Sequence, residues 1–436
     1  MTGRDDRGEM LSRIRRLSEE LWPIARSVCG PGLRTSIGLL ARTMSMEIIE
    51  VPTGSRVFDW TVPWEWELRQ AQLLDESGAV VVSTRDSNLH VLNYSEPMHG
   101  ALSGHDLKEH LYFDPDRPDV VPYRTSYYDA RWGFCVDRST FEGIREDEVY
   151  YVDIDTCKSE GSLTIGEAYL PGESHREIVF SSYLCHPSLA VNELSGPLTL
   201  YTLYCLLANE QNLPYSCRFV VSSETIGSLA YLSRNSAKLQ DAMLGGAAIQ
   251  MTGLPGQVIH RKCRHPSVFD EAIAIVGAGQ EVGSCLRTLE WSPIGGGDQR
   301  QWTANGIDLP MSYISKTLRG DYREYHSSAD NLELMDLNAI QDVAELLAGA
   351  VLSLDDVPLY RYVGPPGEPM LSKRRLMSTL GGPKGSGELA AIKVLIACAD
   401  GTRSLTSMAE QFQLSVRELE NQATLLLGAG LLERVP

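Results

Sequence analysis

The stretch IVFSSYLCHPSLAVNELSG, residues 178–196, decides the fold of this chain. Its apolar first half predicts a buried strand over residues 178–184, and that strand leads directly into His186. A polar turn follows, and an apolar run from residue 195 to about residue 209 predicts a helix. Open α/β folds bind their ligands at the carboxyl ends of buried strands, so His186 is a candidate functional residue.

Three later stretches carry polar residues in similar positions. VVSSETIG places Glu224 after a second apolar strand, and EYHSSADN places His326 after a third strand, LPMSYI. The glycine-rich turn IGGGDQRQW carries Asp298. The carboxyl ends of parallel strands meet at one edge of a sheet. We therefore expect these loops to meet His186 at a single metal site.

The order of the elements predicts the domain organisation. Strands and helices alternate as far as residue 354, which is typical of a doubly wound α/β domain with a mostly parallel sheet flanked by helices. We assign residues 1–49 plus 132–362 to this domain. Residues 50–131 contain short alternating runs and predict an inserted small β-rich module. EVYYVDID and GSLTIGEAYL, separated by the turn-like CKSEG, predict an antiparallel hairpin.

The C-terminal segment has its own pattern. Residues 363–386 are rich in proline, glycine, lysine and arginine and predict a linker. Residues 387–436 have the helix–helix–turn–helix–wing order of a winged helix. From Lys384 onward there are five Lys/Arg and six Asp/Glu, whereas binding to a duplex needs several phosphate contacts. The pattern therefore favours a structural or protein–protein module over DNA binding.

Composition excludes several classes of protein. Hydrophobic residues make up 43%, as in ordinary globular proteins, and the net charge of -18 argues against nucleic acid or an anionic membrane as the main partner. No leader-like segment opens the sequence, which predicts a cytoplasmic protein. Nine scattered cysteines without a CxxC pair predict reduced thiols and no thiolate zinc site. Cys185 is disfavoured as a nucleophile because strand alternation points it away from His186.

The candidate residues match the needs of metal-assisted amide hydrolysis. That chemistry uses imidazoles and carboxylates to hold the metal, a separate carboxylate to move a proton, and donors for the oxyanion. Each residue taken alone also has an ordinary structural explanation, such as a helix cap for Glu224 or a tight turn for Asp298. The spacing of the residues leaves both interpretations open.

Several motifs make the chain similar to a known family. They are PTGSRVFDWTVPWEW, NLHVLNYSEPMHG, PYRTSYYDARWGFC, SSYLCHPSLAVNELSG, SSETIGSLAYLSRN, GGGDQRQW and EYHSSADNLELM. On these motifs the chain resembles the zinc-aminopeptidase superfamily, which includes bacterial leucyl aminopeptidases and glutaminyl cyclases. It resembles more closely the bacterial aminopeptidase-like proteins that carry an inserted β module and a C-terminal winged helix and are often labelled polysaccharide-biosynthesis proteins. The resemblance covers nearly the whole chain and implies a phosphorylase/hydrolase-like α/β fold.

The resemblance also implies roles for individual residues. His186 resembles the first metal-binding histidine of the family and His326 the last. Asn192 stands in the place of the aspartate that bridges two zinc ions. Glu224 matches the general base, and Asp298 resembles the aspartate that shapes the substrate pocket, so these two residues are the expected catalytic pair.

Three departures from the family pattern reduce the expected metal content. Asn192 replaces the bridging aspartate, Thr225 replaces a second glutamate, and residues 249–251 lack the aspartate expected there. We therefore expect one Zn²⁺ per chain, held by His186, Asn192 and His326. Glu193 is an alternative ligand if the turn rotates.

Other residues are expected to contact the substrate. Glu193, Tyr127, Arg131 and Tyr325 are the predicted substrate-binding residues. An acidic pocket made by Glu193, Glu224 and Asp298 would suit an α-ammonium group. The aromatic segment around Tyr127 could equally be the core of the β-rich module.

The resemblance implies a function of the same kind. We expect a zinc-dependent, aminopeptidase-like amide hydrolase that acts on a small peptide or aminoacyl conjugate in natural-product or polysaccharide biosynthesis. Two alternatives remain: an acyl transferase or cyclase on the same mononuclear zinc fold, and a catalytically degraded binding scaffold. No nucleic acid or membrane partner is expected, and the β-rich module and winged helix offer surfaces for a homo-oligomer.

Overall fold

The computed structural model describes residues 3–265, 267–279, 286–295, 297–354, 357–374, 376 and 386–435. The strands, in chain order, are β1 (Glu47–Pro52), β2 (Arg56–Val57), β3 (Trp60–Thr61), β4 (Glu65–Leu74), β5 (Val80–Ser83), β6 (Met98–Ser103), β7 (Leu111–Tyr112), β8 (Phe134–Cys135), β9 (Val149–Ser159), β10 (Ser162–Leu170), β11 (Ser174–Tyr183), β12 (Tyr215–Ser222), β13 (Met243–Ile249), β14 (Val258–Arg261), β15 (Leu286–Leu289), β16 (Met311–Ser315), β17 (Leu359–Tyr362), β18 (Asp400–Ser404) and β19 (Leu432–Val435).

The helices follow the same numbering. They are α1 (Gly3–Leu21), α2 (Pro31–Met44), α3 (Gly104–Lys108), α4 (Arg138–Gly143), α5 (Ser195–Ala208), α6 (Ile226–Ala242), α7 (Val268–Gly279), α8 (Gln299–Trp302), α9 (Leu337–Ser353), α10 (Ser386–Cys398), α11 (Leu405–Phe412) and α12 (Val416–Gly428). A π-helical turn, Ala190–Leu194, runs directly into α5.

A mixed eight-stranded sheet forms the centre of the protein. Its strand order is β1-β10-β12-β11-β13-β16-β14-β15. The central strands β12, β11, β13 and β16 are parallel, and antiparallel strands flank them on both sides. Every residue of β12 and β13 is buried, as expected for parallel strands covered by helices on both faces. The predicted α/β fold class is confirmed.

The β-rich module is larger than the sequence predicted. Its four-stranded sheet has the order β5-β4-β9-β6, so its last strand ends at Ser159 and not near residue 131. The predicted antiparallel hairpin is wrong, because β9 pairs with β4 and β6 whereas β10 pairs with β1 and β12 in the central sheet. Alternating burial along β9 is compatible with either sheet, and the turn after it gives no sign of which sheet each strand joins.

The C-terminal domain is a winged helix, as predicted. Helices α10, α11 and α12 enclose their own core beside the three-stranded sheet β18-β17-β19. Strand β17, which the sequence assigned to the α/β domain, belongs to this sheet. The predicted linker over residues 363–386 lies partly outside the described residues. Across residues 3–435 as described, no helix is long and apolar enough to cross a membrane.

A buried carboxyl group joins the winged helix to the α/β domain. Ser404, at the start of α11, donates a hydrogen bond to Glu271 of α7. The other carboxylate oxygen of Glu271 is buried and has no partner among the described residues. Burial raises the pKa of Glu271 to about 7, and the negative charges of Glu410 and Asp270 act in the same direction.

Replacing Glu271 with glutamine is expected to change how stability depends on pH. The folded state holds a proton on Glu271 that the unfolded chain releases near pH 4.5, so the stability of the wild type falls as pH rises from about 4.5 to about 7. Glutamine resembles the protonated form. Glu271→Gln should therefore raise Tm at pH 8 by roughly 1–3 °C and have little effect at pH 4.5. Thermal unfolding at both pH values tests this, with the exposed Glu420→Gln as control; an equal effect at both values would contradict it.

Candidate active site

The loops after the four parallel strands have an unusual backbone. Each contains a non-glycine residue with positive φ: Ser188 (46°), Thr225 (60°), Met251 (49°) and His326 (53°). Such conformations cost about 1–3 kcal/mol each and cluster at active sites and ligand-binding sites. Their recurrence at one edge of the sheet marks this edge as the candidate functional site.

Asp330 ties together the loops that carry the two histidines. Its carboxylate accepts hydrogen bonds from the backbone N–H of Val191 (2.7 Å) and Asn192 (3.0 Å), in the turn before α5. The hydroxyl of Tyr322 donates to it as well, at 3.3 Å. Burial raises the pKa of Asp330 to about 6, although these donors oppose the shift. The sequence analysis did not single out Asp330, although it lies four residues after His326 in the motif EYHSSADN.

His186 is held in one orientation by Glu193. The Nδ1 atom of His186 lies 2.6 Å from Glu193 Oε2, and the other carboxylate oxygen accepts the backbone N–H of His186 at 2.7 Å and that of Cys185. Burial lowers the pKa of His186, but the negative charge of Glu193 outweighs it and the net pKa is raised. A carboxylate on Nδ1 fixes that nitrogen as the donor, so Nε2 is the atom at which a metal would replace a proton. Glu193 is fully buried, so its predicted role in contacting substrate is replaced by a role in positioning His186.

A buried arginine lies on the other side of this pair. Arg26 donates to the carbonyl of His186 (3.1 Å) and to that of Leu21 (2.6 Å), and it is fully buried. Burial lowers the pKa of Arg26 to about 10, and the negative charge of Glu193 opposes this shift. Arg26 and Glu193 therefore compensate each other's charge beneath His186. No motif pointed to Arg26, which lies 160 residues before His186 in the chain.

The two predicted histidines face each other. Their ring centres are 5.2 Å apart, and the ring of Tyr123 contacts both of them. Burial lowers the pKa of His326 to about 2, and the positive charges of Arg319, Arg117 and Arg124 act in the same direction, so its imidazole is neutral. Glu224 Oε2 lies 3.8 Å from His186 Nε2. The structure thus brings together the three residues that the sequence placed at separate strand ends.

The spacing of the two histidine rings is compatible with both binding one zinc ion. With Zn–N distances of about 2.1 Å, two imidazoles on one tetrahedral zinc have ring centres roughly 5 Å apart. Asn192 donates to the Tyr183 hydroxyl (3.1 Å), and its buried Oδ1 has no partner among the described residues, so this oxygen is available as a ligand. That His186, His326 and Asn192 together hold the metal stays a prediction.

A second group of metal-binding residue types has a different explanation. Ligand atoms of Cys185, His186 and Glu193 lie within 4.8 Å of one another. The hydrogen bonds of Glu193 to the other two residues account for this proximity. Burial raises the pKa of Cys185 to about 12, so without a metal it is a neutral thiol and a poor nucleophile.

Asp298 positions the segment that carries Glu224. Its two carboxylate oxygens accept the backbone N–H of Thr225 (2.9 Å) and the hydroxyl of Ser228 (2.7 Å) at the start of α6. Burial raises the pKa of Asp298 to about 7, and the charge of Glu224 contributes. Asp298 was expected to contact a substrate amine. It is only 2% exposed, so its carboxylate is not placed to make that contact.

A cavity of about 570 Å³ opens beside Glu224. Its polar lining includes Glu224, Gln250, Arg261, Arg300, Arg319 and Tyr325. Glu193 and Asp298 do not line it, so the predicted acidic pocket reduces to a single carboxylate. This difference arises because both carboxylates are buried and bonded to neighbouring groups, which the sequence spacing does not reveal.

Of the three aromatic and basic residues predicted to contact the substrate, one lines the cavity and two do not. Tyr325 lines the cavity and stacks on His326, with ring centres 3.9 Å apart. The hydroxyl of Tyr127 lies 3.0 Å from that of Tyr123, and burial raises the pKa of Tyr127 to about 12. Arg131 is exposed, lies 3.4 Å from Asp129 and does not line the cavity. Of these three residues, only Tyr325 lines this cavity, and it also contacts His326.

Solved structures share this fold. A crystal structure of a Clostridium acetobutylicum protein described as a peptidase is 32% identical, covers 98% of this chain and 97% of its own, and has a TM-score of 0.77. A zinc aminopeptidase from Bacillus subtilis (14% identity, TM-score 0.55) and a peptidase M28 precursor from Shewanella amazonensis (13%, 0.55) each match 79% of this chain and 94% and 92% of their own. The fold is that of the aminopeptidase-like α/β proteins, and the resemblance found in the sequence is confirmed.

A family match over most of the chain and a similar relative show which family the chain belongs to. The family described as "Domain of unknown function (DUF4910)" matches residues 15–356, and a winged helix-turn-helix family matches residues 358–434. A Clostridium acetobutylicum relative, named for polysaccharide biosynthesis and an aminopeptidase-like domain, is 34% identical over 426 residues, 97% of this chain and 96% of the relative. The chain belongs to the DUF4910 family.

Proposed function

We propose that this protein is a zinc-dependent amide hydrolase that acts on a small peptide or aminoacyl conjugate. The observation that carries the proposal is the cluster of His186, His326 and Glu224, in which Glu224 lines the cavity and its Oε2 lies 3.8 Å from His186 Nε2. The fold shared with a zinc aminopeptidase supports the same class of reaction. One zinc per chain is proposed because Asn192 and Thr225 are poorer ligands than the carboxylates expected at their positions.

Zinc bound by His186, His326 and Asn192 would polarise the scissile carbonyl. Glu224 takes the proton from the attacking water and returns it to the leaving amine, the usual work of a carboxylate in such a site. Glu193 keeps Nδ1 of His186 protonated, so that Nε2, which lies 3.8 Å from Glu224, is the nitrogen that would bind the metal. Asp298 fixes the backbone of Thr225 and thereby the position of Glu224.

Acyl transfer or intramolecular cyclisation is the second candidate. The amide of Asn192 and the hydroxyl of Thr225 stand where the resemblance places second-metal ligands, and a mononuclear site favours such reactions as much as hydrolysis. Product mass separates the two, because hydrolysis adds one water to the substrate. A cytoplasmic location and a place in biosynthesis remain proposals, the latter supported by the name of the Clostridium relative.

Metal content tests the proposal directly. Protein purified without chelator should contain about one zinc per chain, and His186→Ala and His326→Ala should each lose it. The zinc-loaded wild type should cleave members of an aminoacyl-amide and dipeptide library, followed by mass spectrometry. The matched control is His105→Ala, since His105 is an exposed histidine of the β-rich module. Absence of zinc after its addition, or zinc-loaded protein that cleaves nothing, would contradict the proposal.

A further inference from the structure

The charges that line the cavity are mostly positive. Its charged lining residues are Glu224 and three arginines, Arg261, Arg300 and Arg319. The protein as a whole carries a net charge of -18, so this local excess of positive charge runs against the overall balance. A ligand ammonium would be attracted by one carboxylate and repelled by three guanidinium groups, whereas a ligand anion would be attracted by the three guanidinium groups and repelled by the one carboxylate.

The three arginines are not neutralised by neighbouring carboxylates. None of them forms an ion pair with a carboxylate among the described residues. Arg300 donates to the carbonyl of Gly297 (3.0 Å). Its positive charge lowers the pKa of the buried Asp298 slightly, although the two side chains form no ion pair among the described residues. The guanidinium of Arg319 lies 5.6 Å from the ring centre of Tyr325, beside His326. Unpaired guanidinium groups in a cavity are the usual partners of carboxylate and phosphate groups.

Arg261 has unused hydrogen-bonding capacity. One terminal nitrogen donates to the carbonyl of Glu290 (3.1 Å), whereas its Nε is buried and has no partner among the described residues. Its other terminal nitrogen lies beside Gly295, in the glycine-rich turn. A guanidinium with free donors can bind an oxyanion through two parallel hydrogen bonds.

Gln250 adds a second unpartnered donor to the same cavity. The residue is 2% exposed, and its Nε2 has no hydrogen-bond partner among the described residues. A Cβ atom at Gly297 would collide with Gln250 Oε1, so the glycine allows the turn to pass close to this amide. A buried donor without a partner is costly, and a ligand acceptor would remove that cost.

We propose that the substrate carries an oxyanion, a carboxylate or a phosphate, which binds Arg261, Arg319 and Gln250 while the scissile amide lies at Glu224. This inference deepens the proposed function, because it specifies the charge of the substrate for the same site. It replaces the acidic pocket that the sequence predicted.

Equilibrium binding tests the proposal independently of turnover. The full-length Glu224→Gln protein is titrated calorimetrically with alanyl-glutamine amide as the neutral reference. Three probes add one anion each: alanyl-glutamate amide (side-chain carboxylate), alanyl-glutamine (terminal carboxylate) and alanyl-phosphoserine amide (phosphate). At least one anionic probe should bind about 10- to 100-fold more tightly than the reference, the range expected for a charged hydrogen bond. The probe that gains most identifies the source of the anion.

The arginine variants decide whether the cavity is responsible. Arg261→Gln and Arg319→Gln, made in the same background, should each reduce the preference for the anionic probe at least about fivefold. Arg234→Gln on the exposed face of α6 is the control and should leave it unchanged. Arg319 is exposed, so its variant remains informative if Arg261→Gln unfolds. Equal binding of all four probes, or a preference that survives in both cavity variants, would overturn the proposal.

Turnover by the wild type separates this proposal from the proposed function. If zinc-loaded wild type cleaves none of the probes and no member of the aminoacyl-amide and dipeptide library, while the anion preference is present and depends on the arginines, hydrolysis is refuted and the oxyanion site stands. If the wild type cleaves the probes without preferring an anion, hydrolysis is supported and the oxyanion site is refuted.

Discussion

Replacing Glu224 with glutamine is expected to lower kcat by about 10²- to 10⁴-fold, the usual contribution of a general base or acid. The Glu224 carboxylate lines the cavity, its side chain is 34% exposed, and Oε2 lies 3.8 Å from His186 Nε2. Glutamine fills the same space but does not accept the proton of an attacking water. Steady-state kinetics on a cleaved aminoacyl amide, together with zinc content per chain, measure the effect.

The expected pattern is a loss of turnover with retained zinc. His186, His326 and Asn192 are unchanged in this variant, so the metal content should stay at the wild-type level. The matched control is Glu333→Gln, because Glu333 is exposed and lies in the segment that follows His326. This variant should keep wild-type kinetics. If Glu224→Gln kept kcat within about threefold of the wild type, Glu224 would not be the proton carrier.

The sequence predicted the strand ends because their patterns are local. Runs of buried residues identify parallel strands, and polar residues directly after such runs, like His186 and Glu224, lie at their carboxyl ends. Ring contacts between His186 and His326 follow from that placement. The same rule says nothing about the direction of a side chain inside a turn, and Glu193 lies in the π-helical turn that precedes α5.

Long-range contacts account for what the sequence did not predict. Arg26 reaches the carbonyl of His186 from the segment between α1 and α2, and Asp330 binds the backbone of residues 191–192 from a loop more than 130 residues later. Arg261 precedes the glycine-rich turn in the chain and Arg319 follows it, and both line one cavity. No periodicity or motif links such positions. The charge of the cavity was therefore predicted with the wrong sign.

The departures from the family pattern have structural roles of their own. Thr225 contributes its backbone N–H to Asp298, and Gln250 lines the cavity with a donor that has no partner in the described part of the chain. Asn192 donates to the Tyr183 hydroxyl, and no described residue donates to its Oδ1. Substitution of a charged ligand by a neutral amide removes negative charge from the site. Loss of ligand carboxylates and the excess of arginines thus both make the cavity more favourable to an anion.

Glu193 is expected to be the residue whose truncation most destabilises the site. Glu193→Ala removes the carboxylate that compensates Arg26 and accepts three hydrogen bonds from Cys185 and His186. Removing one partner of a buried charge pair typically costs about 3–5 kcal/mol. Urea unfolding should show a loss of this size, whereas Glu210→Ala, an exposed truncation after α5, should have little effect. Stability equal to the wild type would contradict the buried pairing.

Glu193→Gln separates the metal-binding role of this residue from its role in stability. The glutamine oxygen still accepts the backbone N–H groups, so the variant should fold. Its side-chain nitrogen donates to Nδ1 of His186, which moves the imidazole proton to Nε2 and removes the lone pair that would bind the metal. Zinc affinity, measured by competition with a chelator, should fall about 10- to 100-fold, as for other partners of metal-binding histidines. Unchanged affinity in folded Glu193→Gln would mean that the Nε2 lone pair of His186 does not bind the metal.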